Sequence, residues 1–134
     1  MPQCPIIPAL HYRDARTMTD FLCRAFGFER KAVHEGPGGT VAHAELTLGG
    51  AMIMIGSPAD TPYGRLVGPV EAGGRATMGL YVVVEDVDAH HDRAKAAGAT
   101  IEIPLTDQDY GGRDYTCRDP EGQVWSFGTY DPWR

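Results

Sequence analysis

The sequence contains no asparagine, so it offers no acceptor for N-glycosylation. Its two serines, Ser57 and Ser126, lie outside any G-x-S-x-G pattern, which excludes a hydrolase nucleophile elbow. G-x-x-x-x-G-K-[ST], G-x-G-x-x-G and H-E-x-x-H are all missing, and with them the common phosphate cradles and the zincin helix. Lysine occurs twice, at Lys31 and Lys95, beside scattered arginines in a chain of net charge −6. Without a basic stripe, no nucleic-acid partner is expected. Three cysteines (Cys4, Cys23 and Cys117) form no C-x-x-C pair, which fits a reducing, cytoplasmic setting and no zinc ribbon. No apolar run approaches the ~18–20 residues of a membrane span. The opening MPQCPIIPALHYRD lacks the basic start and apolar stretch of a secretory signal.

What remains is the pattern of one soluble domain spanning 1–134, with 43% hydrophobic and 22% charged residues. An amphipathic helix is expected from about Ala15 to Phe26. Asp14 serves as N-cap, Met18, Phe21, Leu22 and Ala25 fall on one face, and Gly27 is the stop. A second helix is expected from about Val87 to Ala97, between Asp86 and Gly98, with Val87, His90, Ala94 and Ala97 inward. A strand precedes each helix, at Ile6–Tyr12 and Gly79–Val84. Alternating segments follow at Val41–Leu48, Ala51–Ile55, Asp114–Arg118 and Gln123–Phe127. Gly49-Gly50 and Pro120-Glu121-Gly122 read as hairpin turns. The two halves align without gaps at an offset of 72: Asp14 meets Asp86, Gly50 meets Gly122 and Gly56 meets Gly128. The chain is thus read as a βαβββ module over 5–56, a Pro/Gly-rich linker over 57–76, and a second βαβββ module over 77–130.

LHYRDA…FLCRAFGFE, VVVEDVDAHHDRAKAAGA and DYGGRDYTCRDPEGQVWSFG, set on two βαβββ modules, resemble the vicinal oxygen chelate superfamily. That group includes glyoxalase I, bleomycin-resistance proteins and extradiol dioxygenases. The resemblance implies an α+β fold in which the modules form an eight-stranded curved mixed sheet around a central cup, and it implies a homodimer. It also implies metal ligands on the first and last strand of each module. Carried over residue by residue, these fall on Ile7, Met54, Gly79 and Ser126, which cannot form an N/O donor set for a divalent ion. No metal and no cofactor are therefore expected, as in a metal-free branch of the superfamily.

Strand alternation then predicts the cup lining. With Ile7, Met54, Gly79 and Ser126 inward, so are His11, Met52, Tyr81, His43 and Glu45, and the 72-residue offset adds Tyr115, Cys117 and Asp119, with Arg113 one step before. Leu10, Ile53, Ile55, Trp125 and Phe127 take the opposite face, under the helices. Each candidate carries two readings. His43 and Glu45 are either an acid–base dyad or a solvated cross-strand pair. Arg113 is a counter-ion for an anion, or is paired with Asp109 or Asp114. Tyr81 and Tyr115 stack a planar ligand or pack the sheet. Met52 and Met54 form an adaptable floor or plain core. His11 is a polar anchor or a surface residue, and the adjacent His90 and His91 diverge on their helix, one half-packed and one solvated. Three functions follow: a metal-free binder of a polar small molecule, a glyoxalase-like lyase or isomerase working through His43/Glu45, or a shifted metal site at His11, His43 and Glu45.

Overall fold

The computed structural model describes residues 4–134. They divide into two compact units, one ending at Pro69 and the other beginning at Val70. In the first unit β1 (Ala9–His11) leads into α1 (Ala15–Phe26), followed by β2 (Glu29–Glu35), β3 (Val41–Leu48) and β4 (Ala51–Gly56). The second unit repeats the plan with β5 (Gly79–Val83), α2 (Val87–Ala97), β6 (Thr100–Asp107), β7 (Arg113–Arg118) and β8 (Val124–Gly128). Each unit is a four-stranded mixed sheet, in the orders β1-β4-β3-β2 and β5-β8-β7-β6, whose first strand runs parallel to its last. The fold is therefore α+β, built from two βαβββ modules.

Both helices begin and end where the sequence signals them. Asp14 accepts the Thr17 amide at 3.1 Å and Asp86 the Ala89 amide at 3.1 Å, meeting amides that have no partner inside the helix. Gly27 and Gly98 close the helices with φ of 86° and 116°, a conformation that costs glycine little. Strand β1 is shorter than the alternation suggests. Pro8 has no amide to give the ladder, and its carbonyl instead receives the Met54 amide at 2.9 Å.

The two cores solve the same packing problem in opposite ways. In the first unit the bulk is on the helix: Met18, Phe21, Leu22 and Phe26 fill against smaller or aliphatic sheet residues Ala44, Leu46, Ile53 and Ile55. In the second unit the helix stripe is small, with Val87 and Ala94, and the sheet supplies the volume through Tyr115, Trp125 and Phe127, all fully buried. Dense packing requires this exchange, since a small helix face would otherwise leave voids.

The gapless 72-residue offset fails at β7. In the first unit Leu48 pairs with Ala51 across the two-residue turn Gly49-Gly50. In the second, Asp119 and Gln123 close a three-residue turn, the Asp119 amide donating to the Gln123 carbonyl at 3.0 Å, with Gly122 at φ 94°. The extra residue shifts the register by one. Ala44 pairs with Ile55, but Tyr115 (not Thr116) pairs with Phe127, and Cys117 with Trp125. A one-residue slip moves a strand's side chains to the opposite face. Tyr115 and Cys117 therefore lie on the helix side, fully buried, and not on the open face expected for them. Asp114, Thr116 and Arg118 take that face instead. Asp119 is also committed: its carboxylate accepts the Glu121 and Gln123 amides and the Trp125 indole N–H, which locks the turn.

Candidate functional site

The open face of the first sheet carries a hollow of about 290 Å³. Its base is made by residues that alternate to that face on three strands: Ala9 and His11 from β1, Met54 and Gly56 from β4, and His43 from β3. His11 lies beside Gly56 in the parallel register, and a Cβ on Gly56 would come within 3.3 Å of the His11 Nε2. Glycine there gives the imidazole its seat.

The outer wall comes from the segment that follows β4. Ser57, Ala59, Thr61 and Tyr63 all face the hollow, although the sequence marks this stretch as linker. Ser57 Oγ donates to the Val41 carbonyl at 2.7 Å and ties the start of the segment to β3. Beyond it the chain coils on itself. Thr61 Oγ1 accepts the Gly64 amide at 3.0 Å, and the Tyr63 carbonyl accepts the amides of Leu66 and Val67 at 2.9 and 3.0 Å. The coil is so tight that a Cβ on Gly64 would sit 2.0 Å from the Ala59 carbonyl oxygen. Tyr63 meets His11 edge-on, with ring centroids 5.5 Å apart and planes at 63°. The His11 Nδ1 is shielded and has no hydrogen-bond partner in the described structure.

Beside the hollow, His43 Nε2 lies 3.1 Å from Glu45 Oε2, and Lys31 Nζ lies 3.6 Å from the other carboxylate oxygen. The hydrogen bond to His43, helped by the Lys31 charge, holds the Glu45 carboxyl below its ordinary range. His34 of β2 stacks on His43 at 6.0 Å. Met52 shares the open face through its pairing with Thr47 but lies outside the lining. Among the described residues, no arginine, lysine, aspartate or glutamate lines the hollow.

The other expected site residues belong to the second unit. Tyr81 is on its open face, in register with Ser126, and its hydroxyl donates to the Tyr130 carbonyl at 2.6 Å. Arg113 is held by two carboxylates, Asp88 of α2 at 2.9 Å and Asp107 of β6 at 3.3 Å, and not by Asp109 or Asp114. Tyr115 is inside the core, its hydroxyl 2.6 Å from His90 Nδ1, and burial pushes its phenol far above the ordinary range. His90 and His91 both pack against the Tyr115 ring, so neither is simply solvated. No group of three or more His, Cys, Asp or Glu side chains able to hold a metal ion occurs among the described residues. His11, His43 and Glu45 thus do not assemble into a shifted metal site. The positions that the superfamily pattern assigns to ligands, Ile7, Met54, Gly79 and Ser126, do not fit a divalent ion either.

Comparison with known proteins places this geometry. Residues 8–127 match the Glyoxalase/Bleomycin resistance protein/Dioxygenase superfamily, and the chain belongs to it. TioX from Micromonospora sp. ML1 is 37% identical, with a TM-score of 0.73 over 92% of this chain and 95% of that one. The uncharacterized protein Rv0887c of Mycobacterium tuberculosis is 36% identical over 124 residues, which are 90% of this chain and 71% of that protein. A fosfomycin resistance protein, FosX from Listeria monocytogenes, in complex with Mn(II) and 1S,2S-dihydroxypropylphosphonic acid, shares the fold alone. It is 18% identical, with a TM-score of 0.72 over 98% of this chain and 94% of that one.

Proposed function

We propose that this chain is a small-molecule-binding protein that holds a polar organic ligand in the hollow of its first unit without a metal ion. The lining carries this reading: two imidazoles, a phenol, two hydroxyls and a thioether around small residues, with no formal charge contributed by Arg, Lys, Asp or Glu. A concave, mostly apolar site with a few polar groups is the usual form of a small-ligand pocket. A phosphonate such as the one in the FosX complex calls for cationic side chains, and no Arg or Lys lines this hollow. The chain is further taken to act in the cytoplasm as a homodimer, on its cysteine usage and its superfamily resemblance. Light scattering on the purified protein reads the second point. Calorimetric titration of chelator-treated protein with a panel of neutral, cationic and anionic aromatic metabolites and drugs tests the function. Saturable binding of uncharged members, unchanged by chelator, is expected. Binding confined to anions, or lost on chelation, contradicts the proposal.

The 3.1 Å contact between His43 and Glu45 favours a second reading, an enzyme of the lyase or isomerase type. In it, Glu45 orients the His43 ring, which takes a proton from a carbon next to a carbonyl. The groups expected to steady the resulting enolate weaken this reading. Arg113 is engaged by Asp88 and Asp107, and Tyr115 by His90. Glu45→Gln separates the readings: an enzyme loses turnover with ligand affinity retained, whereas a binder shows no rate to lose.

A further inference from the structure

We propose that His11 and Tyr63 form the two walls of a slot for a flat aromatic ring, so that the ligand of the hollow is a planar aromatic molecule carrying a hydroxyl. This rests on the hollow being the binding site and adds the class of molecule it selects. Four observations converge. The walls are a fixed ring and a movable one: His11 is seated over Gly56 on a strand, while Tyr63 is 51% exposed on a coil whose hydrogen bonds within 59–67 close on themselves. Their edge-on contact at 5.5 Å falls short of the ~7 Å that a sandwiched ring needs, at about 3.5 Å on each side, so a small outward rotation of Tyr63 opens the slot. The Met54 thioether, soft and adaptable, meets the ring edge from the floor, and Ala9, Ala42 and Ala59 leave flat space around it. The polar groups of the lining are the Ser57 and Thr61 hydroxyls and the His43 imidazole, which can meet a ligand hydroxyl, beside a shielded His11 Nδ1 that has no hydrogen-bond partner among the described residues.

The test uses two neutral alcohols of one skeleton, 2-naphthol and decahydro-2-naphthol, titrated against the full chain and against Tyr63→Phe and Tyr63→Leu. Leucine keeps apolar bulk at the wall and removes the ring. Tyr63 is half exposed, so thermal unfolding of both variants should match the parent. The slot predicts that the parent and Tyr63→Phe prefer 2-naphthol roughly tenfold, and that Tyr63→Leu binds both alcohols within about twofold. Equal binding of the two alcohols by the parent, or a preference that survives in Tyr63→Leu, overturns the slot and leaves the hollow as a site. Failure of both alcohols to bind at millimolar concentration overturns the hollow and the slot together.

Discussion

Replacing Tyr115 by phenylalanine tests whether β7 turns this side chain into the core, as its register with β8 requires. The ring is fully buried against Phe127 and His90, so the substitution keeps its packing and removes the hydroxyl alone. That hydroxyl lies 2.6 Å from His90 Nδ1. Its loss removes that hydrogen bond from a partly buried imidazole, at a cost of about 1–3 kcal/mol. For a domain of this size the fall in Tm is roughly 3–10 °C. Denaturant unfolding followed by far-UV circular dichroism gives the free energy, and calorimetric titration gives ligand affinity in parallel. Stability should fall with affinity unchanged, because Tyr115 lies outside the hollow. A variant as stable as the parent but weakened in ligand binding would refute the register, since that is the behaviour of a residue facing the ligand.

Alkaline titration reads the same core. Burial raises the Tyr115 phenol above its ordinary value of 10.0 and the Cys117 thiol from 9.0 to about 12. The unfolded chain releases these protons first, so the stability these two groups contribute should be complete below about pH 9 and decline above it, with Cys117→Ala flattening the first part of the decline. The opposite sign holds in acid. The Asp14 carboxyl is held below its ordinary value by the Thr17 hydroxyl and amide, so the stability it contributes is complete above that value and is lost as pH falls through the lowered one. Asp14→Ala should cost about 1 kcal/mol at pH 7 and progressively less in acid, by denaturant midpoint. Gly128→Ala should destabilise the second unit and leave the hollow intact, because the new Cβ would lie 2.7 Å from the Tyr81 hydroxyl and 2.8 Å from the Asp114 Cβ. Unfolding midpoints and titration on one preparation check both parts.

Where local chemistry and the hydrophobic period agree, the sequence was enough. Both helices, with their aspartate caps and glycine stops, could be placed from spacing alone, and the inward set Leu10, Ile53, Ile55, Trp125 and Phe127 followed from strand alternation once the superfamily resemblance fixed its phase. The edge strands could not. β2 reads ERKAVHE and is exposed along nearly its whole length, and β6 carries Pro104 and irregular pairing, so neither shows a two-residue period. The positions of Tyr115 and Cys117 were hidden by a turn. Counting three residues between Asp119 and Gln123, against two between Leu48 and Ala51, is the signal that could have revealed the slip. At the candidate site, His11, His43, Glu45 and Met54 come to one face because they obey strand alternation. Ser57, Thr61 and Tyr63 were missed because a Pro/Gly-rich stretch has no period to read. Its one local marker is Gly64, which the tight coil demands.

A hollow that binds its ligand without a metal keeps its affinity when every metal ion is stripped away. The most direct measurement is titration of 2-naphthol into protein purified without chelator and into the same protein after exhaustive chelation, with metal content determined on both. One affinity is expected for the two preparations, with metal far below one equivalent in each. A stoichiometric divalent ion in the first preparation, with binding that disappears when it is stripped and returns when it is restored, would contradict metal-free binding.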